Sequence, residues 1–337
     1  MDPLVIVFGL GVGILIGLTG IGGGSLMTPL LVLFAGIPPV VAIGTDLAYG
    51  AVTKTLGGWR HWRKGTVDLG VSMWLAVGSV PGALVGVWLL DRLHTTYGKS
   101  FEPTLLVSIA VALIIVAVTI LGRALFMPKL VARERHSVEQ TTRTKVLAIV
   151  IGAVLGLILG LTSVGSGALI GLALILVFQL TPHRVVGTDV FHAAILLWAA
   201  GLAHFASGNV DFLLMATILI GSLPGVWLGA HLIDKVSANA LRPALGCVLL
   251  ASALGVLSKA GAEVPAVVLI GVPLGVGLGA YLLQRSRGPV APPPPGSGGA
   301  AATIEATEPP DPVDGADAVE VAEMAERPAE RPEVVRA

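Results

Sequence analysis

Two Gly-Thr-Asp triplets, Gly44-Thr45-Asp46 and Gly187-Thr188-Asp189, each place a carboxylate inside an otherwise apolar run. A charge at membrane depth is costly enough to mark a functional group, here a candidate proton or ion carrier. The competing assignment is helix capping, because Thr or Asp after Gly suits the start of a helix, and both roles stay open. Lys54 follows Asp46 by about two helical turns and could pair with it or with an anionic substrate. It also lies close to Arg60, Arg63 and Lys64, and the sequence favours a side chain that snorkels toward that basic loop. His192, three residues past Asp189, could relay a proton or simply donate a hydrogen bond. His61 and His204 read as interfacial.

Two glycine-rich turns form the other candidate site. Gly22-Gly23-Gly24-Ser25 and Gly165-Ser166-Gly167 each interrupt an apolar stretch, where a break exposes peptide groups that hydrocarbon cannot satisfy. Such backbone persists only when it is buried in protein or lines a cavity. Consecutive glycines can aim several N–H groups at one point, and a helix starting there would add the positive end of its dipole. Ser166 could donate a hydrogen bond to an oxyanion. With Thr45 and Thr188 these residues make up a candidate substrate site. A purely packing role is the alternative; Gly9, Gly13 and Gly17, with Gly152, Gly156 and Gly160, are assigned to that role. A nucleotide phosphate loop is unsupported, since no Gly-Lys-Ser/Thr follows either turn.

The elements that must position these groups are membrane helices. Of 337 residues, 54% are hydrophobic and 12% charged, and the mean hydropathy is +0.88. Leu69 to Leu90, Thr104 to Gly122 and Val264 to Gln284 match the ~20 residues needed to span hydrocarbon. Apolar stretches cover about 3–19, 25–36, 40–57, 68–91 and 103–126, then 146–162, 167–180, 184–206, 211–232, 239–258 and 264–284. The second stretch of each set is too short for a straight span. The single cysteine, Cys247, excludes a disulfide within the chain and reads as a small buried hydrophobe. Met1-Asp2-Pro3 lacks the positive charge that opens a secretory signal, so the first apolar run reads as retained.

Shifting the sequence by 143 residues aligns 9–91 with 152–234 without a gap, and about a third of the paired positions are identical. The matches fall on both glycine turns, both Gly-Thr-Asp triplets, His61 with His204, Asp68 with Asp211, and Gly78-Ser79-Val80-Pro81-Gly82 with Gly221-Ser222-Leu223-Pro224-Gly225. The chain therefore divides into a first transmembrane repeat (1–126), a charged cytoplasmic linker (127–145), a second repeat (146–284) and a tail (285–337). Arg60, Arg63 and Lys64 mark an inside loop, whereas the equivalent segment around His204 has no Lys or Arg. That asymmetry implies inverted repeats, with the N-terminus outside and the C-terminus inside. The tail after Arg287 holds ten acidic residues and three arginines and is rich in Pro and Ala, a composition expected to stay disordered.

Taken together these motifs resemble the TauE/SafE family of sulfite and organosulfur exporter-like permeases. The resemblance rests on the two glycine turns, Pro29 after the first, both Gly-Thr-Asp triplets and both Gly-Ser-x-Pro-Gly motifs, and covers about 4–284. It implies an all-α, polytopic protein of the plasma membrane that carries sulfite, sulfonates or related small anions, coupled to an ion gradient. The second half departs from the pattern, with Ser166 in place of a third glycine and Leu172 where Pro29 stands. The expectation is thus a secondary transporter working by alternating access, with a small anion and a coupling proton or ion as partners. It needs no cofactor, metal or nucleic acid. A membrane-embedded enzyme is the rival of another class; it would need a nucleophile with its base, or clustered His and Glu ligands, at membrane depth.

Overall fold

The computed structural model describes residues 3–19, 24–126, 137–232 and 238–286. Gly22 and Gly23, most of the linker, and the tail from 287 on lie outside the described residues. Eleven α-helices are described: α1 (Pro3–Thr19), α2 (Gly24–Phe34), α3 (Pro39–Arg63), α4 (Leu69–Tyr97), α5 (Glu102–Phe126), α6 (Thr142–Thr162), α7 (Leu169–Leu176), α8 (Pro182–Ala206), α9 (Phe212–Leu232), α10 (Ala238–Lys259) and α11 (Ala266–Ser286). No strand element occurs among the described residues.

Local chemistry sets these limits. Pro39 and Pro182 open α3 and α8 at a position where the missing N–H costs nothing. The Gly-Thr-Asp triplets therefore lie inside their helices, and the capping alternative for Asp46 and Asp189 is overturned. Asp68 and Asp211 do the capping instead, accepting from the N–H groups of Val71 at 3.0 Å and Leu214 at 2.9 Å. α3 continues through the basic segment to Arg63, so Arg60 and Arg63 occupy a helical last turn that favours cations rather than a loop.

Stretches 69–122 (α4 and α5), 142–162, 182–206 and 212–229 are long and apolar enough to cross a membrane. α11 runs Ala266–Ser286, 21 residues, over the stretch of the expected third span. α2 and α7, with 11 and 8 residues, are too short to span. The surface is that of a protein in lipid, with Trp88, Trp227, Leu223 and Val118 exposed. The polar side chains of Thr28, Thr45, Asp46, Ser79, His192 and His204 are turned inward.

Glycine faces bring helices of the two halves into backbone contact. A Cβ on Gly13 would lie 2.8 Å from the Cα of Ser222, and one on Gly156 would lie 2.7 Å from the Cα of Ser79. Of the glycines assigned to packing, Gly9 and Gly13 meet Ser222, and Gly152 and Gly156 meet Ser79, within the Gly-Ser-x-Pro-Gly motifs, so that α1 packs on α9 and α6 on α4. Both of these pairs run parallel: Gly9 faces Ile218 and Gly13 faces Ser222, while Gly78 faces Ile149 and Gly86 faces Leu157. α3 and α8 pack antiparallel, with Ala48 against Gly201, Gly50 against Leu197 and Gly57 against Val190. Thr55 and Trp198, equivalent under the 143-residue shift, bond to each other across this contact at 2.8 Å.

Candidate functional site

The antiparallel pair α3 and α8 carries the buried charges. Asp46 is 1% exposed and its Oδ2 accepts two hydroxyl hydrogen bonds, from Thr28 of α2 at 2.6 Å and from Ser163 at 2.8 Å. Its Oδ1 is buried without a hydrogen-bond partner. Lys54 sits eight positions later on the same helix face and is 8% exposed. Its Nζ is buried without a hydrogen-bond partner and lies within electrostatic reach of both Asp189 and Asp46. The snorkelling expectation for Lys54 is overturned: the side chain is enclosed by the α3–α8 packing and never reaches the basic end of its helix.

These groups face a cavity of about 160 Å³. Asp46, Tyr49, Thr53 and Lys54 line it from α3, Val190 and Leu197 from α8, Gly24 from the start of α2, and Ser163 and Ser166 from the second glycine turn. It is smaller than the roughly 300–1,000 Å³ of a pocket for drug-sized ligands, as suits a small solute.

The second turn owes its shape to its residue types. Gly165 and Gly167 have φ of 118° and 104°, a region L side chains rarely adopt. Ser166 between them is 1% exposed, and its Oγ has no hydrogen-bond partner. Ser163 ends α6 in the left-handed conformation, φ 59°, which swings its hydroxyl onto Asp46. Ser25 is likewise buried with an unpartnered Oγ, although it does not line the cavity. Of the first turn, Gly24 reaches the cavity; Gly22 and Gly23 lie outside the described residues.

Other expected site residues serve differently. The hydroxyls of Thr45 and Thr188 accept the backbone N–H groups of Asp211 at 3.0 Å and Asp68 at 2.8 Å, so each half clasps the start of a helix from the other. Asp189 is buried beside Lys54 and the Gly167 backbone, outside the cavity lining. His192 shares a hydrogen bond with Ser79 at 2.9 Å. A buried Ser–His pair resembles a nucleophile with its base, but both are at most 1% exposed and neither lines the cavity. His204 is fully buried, its Nε2 3.3 Å from the Gly160 carbonyl, which corrects its interfacial placement. Thr28, Tyr49, Thr53 and Ser163 were not foreseen. Only Ser163 carried a signal, as a residue standing where the first half has Gly20.

The family model for the sulfite exporter TauE/SafE matches residues 5–256, which takes in every residue of this cavity. The chain belongs to the TauE/SafE family. Among relatives, it is 39% identical over 254 residues to a probable membrane transporter protein, YjnA, of Bacillus subtilis (strain 168), covering 75% of this chain and 99% of the relative. A second protein of that organism described as a probable membrane transporter, YdhB, is 30% identical over 251 residues, covering 71% of this chain and 95% of its own. The sulfite exporter TauE/SafE family protein 2 of Arabidopsis thaliana is 34% identical over a shorter stretch of 110 residues, 33% of this chain and 24% of its own. No solved structure matches. As a TauE/SafE member the chain is a membrane transporter, and α11 together with the tail lies beyond the family match.

Proposed function

We propose that the protein is a secondary transporter of a small anion, of the sulfite or sulfonate class, and that the cavity between α3 and α8 seats the anion during transport. The observation that carries this reading is the Lys54 ammonium, buried against that cavity with no hydrogen-bond partner of its own. A buried ammonium whose N–H donors are left unpaired is costly even with carboxylates nearby, and an anion bound beside it would accept them. The unpartnered Ser166 hydroxyl on the cavity wall adds a donor. Gly24, at the start of α2, adds the positive end of a helix that stops short of spanning.

The two halves act as inverted repeats that rock about this seat, with the N-terminus outside and the C-terminus inside the plasma membrane. Support comes from the antiparallel course of the equivalent helices α3 and α8 and from reciprocal contacts that recur at the 143-residue shift. The test is uptake of radiolabelled sulfite and a panel of sulfonates into proteoliposomes holding the purified protein. Saturable flux of at least one of them, competed by the unlabelled anion, is expected; absence of flux for all of them would sink the reading.

A further inference from the structure

The charges around the cavity do not balance, and the imbalance grows when an anion enters. Two buried carboxylates, Asp46 and Asp189, face one ammonium, Lys54. Tyr49 of α3 and His192 of α8 are the other titratable side chains packed near them, and His192 Nε2 is engaged by Ser79. Among the described residues, α2 presents the hydroxyl and the backbone N–H of Thr28 to Asp46, and the turn after α6 presents the hydroxyl of Ser163, none of them charged. With both carboxylates ionised, one anion paired with Lys54 would leave net negative charge in a water-poor interior, where each uncompensated charge costs several kcal/mol.

We propose that Asp46 carries the coupling proton: its carboxylate takes one proton from the water in the cavity as the anion pairs with Lys54, and returns it to water when the anion leaves. The proposal rests on the reading of the cavity as the anion's seat. Asp46, not Asp189, is the acceptor: both carry a buried Oδ1 without a hydrogen-bond partner, but Asp46 lines the cavity and Asp189 lies outside its lining. A proton fits this site better than a metal cation does. Both hydroxyls already turn their hydrogens toward Oδ2, whereas a cation would need them turned away. Among the described residues no group of three or more His, Cys, Asp or Glu side chains gathers that could hold a metal ion. With the anion bound and Asp46 protonated, Lys54 is shared between the substrate and Asp189, and the loaded cavity returns to the charge of the empty one.

The test uses the full chain in proteoliposomes, with sulfite as the anion and a trapped pH-sensitive dye as the second readout. In the wild type, sulfite influx is expected to carry protons inward and lower the internal pH reported by the dye in step with the anion, beyond what sulfite causes in protein-free vesicles, and an acidic outside should speed influx several-fold. Asp46→Asn is expected to retain measurable sulfite counterflow that no longer varies with pH relative to the wild type, and to give no protein-dependent dye signal. Asp189→Asn should keep the dye signal. Proton exchange by sulfite itself scales with the anion delivered, so the dye signal is compared per sulfite taken up in all three proteins. Proton movement that persists in Asp46→Asn, its loss in Asp189→Asn alone, or wild-type flux driven by sodium with a silent dye would each overturn the assignment. If the wild type carries neither sulfite nor any sulfonate, the cavity reading fails first and the coupling built on it fails with it. Failure of coupling alone leaves wild-type flux intact, so the two failures are distinguishable.

Discussion

The backbone N–H of Asp68, at the start of α4, donates to the hydroxyl of Thr188 on α8 at 2.8 Å, and the equivalent bond from Asp211 to Thr45 closes at 3.0 Å. Each Gly-Thr-Asp triplet thus divides its labour. Its Thr clasps a helix start from the opposite half, and its Asp, one residue on, turns toward the buried centre.

Thr188→Val keeps the shape and removes the acceptor, leaving the buried Asp68 N–H unpaired. The expected cost is about 1–3 kcal/mol, read as a lower midpoint of thermal unfolding in detergent. Thr45→Val should cost less, because Asp211 is exposed and its freed N–H can bond to solvent. Because the two sites share no partner, the double variant should lose roughly the sum.

Lys54→Met tests the seat of the anion. Losing one charge-assisted hydrogen bond of about 1.5–3 kcal/mol corresponds to a roughly 10- to 100-fold weaker interaction with the anion. The rise should fall on the KM of sulfite flux in proteoliposomes. Lys54→Arg, which keeps the charge but crowds Leu197 across the cavity, should fall between the two.

The glycine faces predict a contrast within one helix. Gly13→Ala would drive a methyl into the Ser222 backbone, where no side chain can yield, whereas a methyl on Gly11 meets nothing within 4 Å. Overpacking of this kind costs about 1–3 kcal/mol or more. Gly13→Ala should lower the unfolding midpoint and the yield of folded protein, and Gly11→Ala should leave both unchanged.

The fold was legible where its causes are local or periodic. Apolar run lengths gave the membrane spans, and the glycine spacing on α1 and α6 gave the close helix contacts. The fate of Lys54 was not legible, since its burial depends on α8 covering it from about 140 residues away and sequence proximity to Arg60 pointed the other way. The capping assignment for Asp46 failed for a related reason: Pro38-Pro39 starts the helix two turns earlier than the Gly-Thr pair suggested. Thr28 and Ser163 became visible as partners of Asp46 only once α2 and the turn after α6 were folded against α3.

Deletion of Gly288–Ala337 should leave sulfite flux per folded protein within about twofold of the full chain, since composition alone gives that segment nothing with which to build a buried core. Loss of flux with folded protein still in the membrane would assign the tail a role in transport. The measurement is initial uptake rate normalised to the amount of monodisperse protein reconstituted.

Ser163 allows a finer test, because its backbone and its hydroxyl pull in opposite directions. A left-handed residue with a side chain costs about 1–2 kcal/mol, and the hydrogen bond to Asp46 at 2.8 Å offsets part of that. Ser163→Ala keeps the strain and loses the bond, so it should lower the unfolding midpoint. Ser163→Gly, the residue that the first half carries at the equivalent Gly20, loses the bond but also removes the strain, and its midpoint should stay close to the wild type. Both variants take one of the two donors from Asp46, so they should alter the pH dependence of sulfite flux alike, although their stabilities differ. If the two flux profiles diverged as the stabilities do, the hydroxyl would be acting through the turn's conformation, and its bond to Asp46 would carry no weight in transport.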